Sequence, residues 1–244
     1  MNSTTTPTNE TLDALFEAGA HYGVTRSRRH PSSNKHLYTN KDHVDVFDLQ
    51  MTYAMLERAK DFARTLGRER KMILFVGGKP ESHVIIKQEA LRTGAAYSIG
   101  RWIGGTITNF SEIKRRVARM QDLIAKRESG ALSKYTKFER LQIDREIEKL
   151  EGMYAGLVDL GDKLPHALFV VDSKREIMAV KEAHRFKIPV LALANSDCDL
   201  TDVDYPIPAN DSARKSIALI VHEIADAYLA GQNEKPIVSE VARG

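Results

Sequence analysis

Only one cysteine, Cys198, and one tryptophan, Trp102, occur among the 244 residues. A lone cysteine excludes an internal disulfide framework and any multi-cysteine zinc site. It also suits a reducing compartment. Long apolar runs are scarce. The best of them, Ala167–Val171 and Val190–Ala194, fall far short of the ~20 residues of a membrane helix. The first 20 residues hold no Lys or Arg and no signal-like apolar stretch, so neither secretory nor mitochondrial targeting is expected. The expectation is a cytoplasmic protein with no membrane partner. Neither charge sign dominates: 36 Lys+Arg stand against 33 Asp+Glu, a formal net charge of +3. Hydrophobic residues at 42% and charged residues at 28% are ordinary for a folded chain and exclude wholesale disorder. The length suits one large domain, or one domain with a small insertion.

Catalytic signatures are missing as well. No G-x-S-x-G elbow occurs, and Cys198 sits among acids that disfavour its thiolate. Gly77-Gly78-Lys79-Pro80 has the place of a phosphate-binding turn, after an apolar run and before a helical one. It lacks both the P-loop and the dinucleotide spacing, so a plain tight turn is the better reading. Asp172 follows another apolar run, where a Rossmann-like enzyme places a functional residue. Helix capping at Asp172-Ser173 explains it more simply. His21, His30, His36 and His43 follow no zinc-ligand spacing. Asp197, Asp199, Asp202 and Asp204 lack the glycine and the glutamate of a calcium loop. No cofactor, metal or small-molecule substrate is expected.

The charge is unevenly placed. Residues 21–41 contain Arg26, Arg28, Arg29, Lys35 and Lys41 and no acid. Residues 195–230 contain seven acids against two bases. Arg101 and Trp102 stand before Gly104-Gly105, and Lys114, Arg115, Arg116 and Arg119 follow on a helical segment. Three separate basic clusters, with Tyr22 and Tyr38 beside the first, are the footprint of nucleic-acid binding. The alternative for each cluster is a solvated surface.

Hydrophobic spacing sets the organisation. A strand is predicted at 44–49 and a helix at 52–66, the latter from the stripe Met55, Leu56, Ala59, Phe62, Ala63 and Leu66. Continuous apolar runs at 72–76, 167–171 and 190–194 read as strands buried on both faces. Residues 96–99 form a short strand, and helices are predicted from Pro80, over 174–186 and over 211–229. Alternating strands and helices imply a mostly parallel sheet covered on both faces. Residues 106–160 break the alternation. Phe110, Ile113, Val117, Met120 and Ile124, then Ile143, Ile147, Leu150, Tyr154 and Leu157, form two heptad-like stripes. They predict an inserted antiparallel coiled-coil hairpin whose seams face each other. On that expectation the hairpin is an arm that the α/β body does not need for its core. The expected division is a disordered tail at 1–10, an α/β domain at 11–105 and 161–231, the hairpin at 106–160 and a flexible tail at 232–244.

Several ordered segments resemble one family. Arg101-Trp-Ile-Gly-Gly-Thr-Ile-Thr-Asn109, Leu15-Phe-Glu-Ala-Gly-Ala-His-Tyr-Gly23 and Ile73-Leu-Phe-Val-Gly77 with Lys79 are similar to segments of the bacterial small-subunit ribosomal protein S-two family. So are Pro165-His-Ala-Leu-Phe-Val-Val-Asp172, Ala179-Val-Lys-Glu-Ala183 and Asp204-Tyr-Pro-Ile-Pro-Ala-Asn-Asp211. The resemblance spans roughly residues 11–230. It implies a Rossmann-like (flavodoxin-like) five-stranded parallel sheet without catalytic duty, plus a hairpin arm. It implies binding to 16S-type rRNA and to neighbouring small-subunit proteins, and a part in recruiting ribosomal protein S-one where that protein exists. Departures from the family pattern fall at Val24, Arg29 and Ala209. A Rossmann-like nucleotide- or phosphosugar-binding enzyme and an off-ribosome interaction protein are the competing expectations.

Overall fold

The computed structural model describes residues 9–234. Most of both expected tails lies outside this range. Where it enters, it is helical: α1 (Asn9–Glu17) begins inside the first tail, and α7 (Arg214–Asn233) ends inside the second.

Two sheets organise the chain. β1 (Tyr22–Thr25), β2 (Leu37–Lys41) and β3 (Val44–Phe47) form a small antiparallel sheet in the order β1-β3-β2. The basic segment expected as a loop therefore contains two strands. Its period-2 signal is weak because both pairings with β3 carry a register shift, and a bulge breaks the alternation that marks a strand in sequence. Asp48 closes β3 and opens α2 (Leu49–Arg68), its carboxylate accepting from Gln50 N at 2.9 Å and Met51 N at 3.4 Å.

The large sheet holds β4 (Ile73–Gly77), β5 (Ala96–Ile99), β6 (Ala167–Val171), β7 (Val190–Ala194) and β8 (Tyr205–Pro208). All its pairs are parallel, in the order β5-β4-β6-β7-β8. Every residue of β4, β6 and β7 is buried, as their continuous apolar runs predict. The short strand β8 is not among the expected elements. Pro206 and Pro208 donate no hydrogen bond, so such a segment is tolerated only at an edge, which is where it lies.

Alternate strand residues feed two cores. Ile73, Phe75, Phe169, Leu191 and Ile207 meet α2, α3 (Pro80–Thr93) and α7 on one face. Leu74, Val76, Leu168, Val170 and Ala192 face α6 (Ile177–Arg185) on the other. α2 and α7 touch backbone to backbone. A Cβ on Gly67 would lie 2.1 Å from Tyr228 O, and one on Gly231 would lie 2.0 Å from Arg64 O. Only glycine permits that approach.

The segment 106–160 forms α4 (Phe110–Glu128) and α5 (Lys137–Tyr154), joined through a short turn. Thr136 and Glu139 close a capping box at the start of α5. These helices also belong to the second core. Ile107, Ile113, Met120, Leu123, Ile147 and Leu150 cluster with the strand residues Leu74, Val76, Leu168 and Val170. The base of the arm therefore shares one apolar cluster with the sheet, and the two stripes otherwise face each other.

Two outcomes follow for stability. Replacing residues 107–157 by a linker uncovers one sheet face and should abolish cooperative unfolding, whereas trimming only 126–141 should preserve it in a calorimetric scan. Gly231→Ala should lower stability in urea titration by roughly 1–3 kcal/mol, the usual cost of overpacking a site that cannot expand.

Candidate nucleic-acid interface

The basic segment is fastened to the carboxyl ends of the parallel strands. His30 N donates to Ser196 O at 2.8 Å, and Val24 N donates to Ser196 Oγ at 3.1 Å. Leu200 N donates to Ser32 Oγ at 3.1 Å. These bonds seat the small sheet on the loop that follows β7. Beneath it lies Asp45, which is fully buried. Arg29 grips that carboxylate with both prongs, Nε at 2.8 Å from Oδ2 and Nη2 against Oδ1. Asn40 Nδ2 adds a third bond at 3.0 Å. Burial pushes the Asp45 carboxyl up, but the hydrogen bonds from Arg29 and Asn40 outweigh it and hold it below the usual range.

This placement divides the expected RNA contacts. Arg29 is corrected to an internal ion-pair partner, because its planar fork is already filled by Asp45. Arg26, Arg28, Lys35 and Lys41 are exposed, and none has an ion pair among the described residues. Arg101 is exposed beyond the end of β5. Strand β5 is the far edge, three strand spacings or roughly 14 Å from β7, so these two clusters do not merge. On α4, Lys114 pairs with Asp162 at 2.5 Å and Arg115 pairs with Glu112, whereas Arg116 is exposed without an ion pair among the described residues.

Trp102 is not a surface contact. It is 7% exposed, and its indole Nε1 donates to Glu182 Oε1 at 3.2 Å. The backbone amides of Gly105, Ile107 and Thr108 donate to the same carboxylate at 2.8, 3.0 and 3.1 Å. The loop 101–109 is thus a nest for a buried anion, and the anion is the chain's own. Burial raises the Glu182 carboxyl, but the bonds from Gly105, Thr108, Ile107 and Trp102 win and hold it below the ordinary range. The expectation of Trp102 as an RNA contact fails because its true partner stands 80 residues away, where no local pattern reveals it.

The crevice where the strand order reverses, between β4 and β6, is where open α/β sheets bind ligands. Here Lys79 Nζ sits 2.8 Å from Asp172 Oδ2 and 2.9 Å from Asp211 Oδ2. Asn195 Nδ2 donates to Asp211 Oδ1 at 2.8 Å. A Cβ on Gly78 would lie 2.0 Å from Glu176 Oε1, so that carboxyl covers the turn. Burial pushes Glu176 up to about 7 and the Cys198 thiol up to about 12. Asp172, Cys198 and Asp211 lie close enough to share a metal ion, but the Lys79 ammonium already pairs with both carboxylates. Asp172 Oδ1 also accepts from Arg175 N at 2.9 Å, which closes the turn after β6; α6 itself begins at Ile177 with Glu176 at its N-cap, so the helix-capping expectation for Asp172 is corrected. Two further acids are tied nearby: Asp197 to Lys174 at 2.8 Å, and Asp204 to Val190 N at 2.8 Å.

Fold and site together define a Rossmann-like α/β protein whose ligand crevice is filled by its own ions and which carries an acid-free basic strip around an added antiparallel sheet. A family model described as Ribosomal protein S2 matches residues 15–231. Among similar chains, the small ribosomal subunit protein uS2 of Coprothermobacter proteolyticus is 43% identical, over 91% of this chain and 82% of the relative. The uS2 proteins of Roseiflexus sp. and Dictyoglomus thermophilum are each 41% identical, over 92% and 91% of this chain and 85% and 90% of their own. The chain belongs to the ribosomal protein S2 family. Its departure at Ala209 carries no strain, since this residue is not among those with positive φ.

Glu182→Ala should lower stability by several kcal/mol in denaturant titration, at roughly 1–3 kcal/mol for each buried donor left unpaired. A pH effect arises at His36, which is 2% exposed with neither ring nitrogen bonded. Burial, then Lys35, holds its pKa below 6.5. The unfolded chain takes up this proton first, so stability is full above pH 6.5 and falls as pH drops toward the folded value. His36→Leu should flatten the acid-side loss in thermal midpoints measured between pH 7 and about 5.

Proposed function

We propose that this chain is a structural component of the small ribosomal subunit that binds 16S-type rRNA and neighbouring small-subunit proteins. Ribosomal protein S-one is among those neighbours where it exists. The observation that carries this reading is the acid-free segment 21–41, whose Arg26, Arg28, Lys35 and Lys41 are exposed around the small sheet with no ion pair among the described residues. Arg101 and Arg116 are secondary contacts on the same reading. The names of the relatives agree with it. The protein works on the ribosome, in the cytoplasm, and has no turnover of its own. The filled crevice argues against a nucleotide site, since Lys79 and Glu176 occupy the place of a phosphate.

The test is co-sedimentation with small subunits across a salt series. Each phosphate contact adds about 0.7–0.9 to the log-log salt slope. Arg26→Ala with Arg28→Ala should weaken incorporation and reduce that slope by roughly two units, with folding unchanged. Arg29→Ala should instead lower thermal stability, because it strands a buried carboxylate. Equal incorporation and slope in the Arg26/Arg28 variant would move the RNA contact elsewhere. Calorimetry with ATP, GTP and NAD should be flat, and a stoichiometric complex would revive the enzyme reading.

A further inference from the structure

The small sheet has an outer face that the proposed phosphate contacts leave unexplained. On β3, Asp45 and Phe47 are buried, whereas Val44 and Val46 face away and are only half-buried. Tyr22 on β1 and Thr39 on β2 both lie in register with Val46. Leu37 pairs with the inward Phe47, and the register shifts between Leu37 and Thr39. The extra residue at that shift is Tyr38, and a bulge sets it beside Thr39 against the same partner. Tyr38 is 77% exposed and Tyr22 is 53% exposed. The outer row therefore reads Tyr22, Val46, Tyr38 across three strands, with the tyrosines about 10 Å apart. The next row sets Thr25 and Lys41 on either side of Val44.

Tyr22 is braced from behind. Its ring lies 4.0 Å from that of His21, which stacks on Phe16 at 4.6 Å and 9°. Strands β1 and β2 carry no acid. The acid of β3, Asp45, points inward and is matched by Arg29, which leaves Asp42 in the turn as the acid nearest in sequence. Arg26 borders the face in a shallow niche with Thr25, Ser27 and His43.

From this arrangement we propose that the outer face of the small sheet stacks unpaired bases of RNA on Tyr22 and Tyr38, while Arg26 and Lys41 hold the flanking phosphates. The proposal rests on the RNA-binding reading and adds which form of RNA this segment takes. An open sheet with exposed rings and uncompensated cations suits splayed nucleotides, whose bases offer a π-face and whose backbone offers anions. A duplex hides its base faces and offers these tyrosines nothing. An apolar protein partner would use the rings but leave the cations without purpose.

The test uses the full chain and fluorescence anisotropy at moderate salt. The probes are a labelled single-stranded oligoribonucleotide of about ten nucleotides, within the span such surfaces cover, and the duplex of the same length. The single strand should bind more tightly than the duplex. Tyr22→Ala and Tyr38→Ala should each weaken single-strand binding about fivefold or more and leave duplex binding unchanged, while Tyr38→Phe should bind as the parent does. Tyr38 is so exposed that its replacement leaves the fold intact, which circular dichroism checks. If both alanine variants bind the single strand like the parent while Arg26→Ala with Arg28→Ala weakens it, stacking is refuted and the phosphate reading stands. If Tyr38→Leu serves as well as Tyr38→Phe, the surface is a general apolar contact and the proposal fails. If the parent binds neither probe, both readings of this segment fail.

Discussion

The Lys79 ammonium, held between Asp172 and Asp211, ties together three parts of the chain that are distant in sequence: the turn after β4, the end of β6 and the approach to α7. All three groups are largely withdrawn from water. Removing one partner from such a cluster costs roughly 3–5 kcal/mol, because the others stay buried without compensation. The cluster closes the crevice at the point where the strand order reverses. With that space filled, the loop after β7 has a firm base, and Ser196 and the Cys198 carbonyl can bind the small sheet above it. The exposed cations therefore depend on a buried one for their position.

A second buried ion does similar work on the other core. Glu182 draws the 101–109 loop inward through Trp102 and three backbone amides, and that loop leads straight into α4. The helical pair is tied to the body at its base, by this carboxylate and by apolar side chains of the shared cluster. Arg29 with Asp45 is the third case. In each, a charge that looks available for a ligand in the sequence is spent on the fold. Among the cations with no ion pair in the described residues, Arg26, Arg28, Lys35 and Lys41 share a stretch, residues 21–41, that contains no acid.

Much of the large sheet is legible in the amino-acid sequence. β4, β6 and β7 announce themselves as continuous apolar runs, and α2 as a stripe at helical spacing. The small sheet and β8 are not legible there. Bulges in the first and prolines in the second remove the alternation and hydrogen-bonding pattern that mark a strand. The candidate site is half legible. Acid-free composition exposes the segment 21–41, but composition alone does not separate Arg29 from Arg26 and Arg28.

Family, parallel sheet and the location of surplus positive charge all follow from the sequence, because motif, apolar period and charge run are local properties of the chain. Which ions are free is settled only by tertiary contacts, since the partners Asp45, Glu182 and Asp211 lie 16, 80 and 132 residues from Arg29, Trp102 and Lys79. The same holds for the hairpin's membership of the core. Two facing stripes predict that helices pack together, but whether a third surface packs against them depends on where the sheet lies.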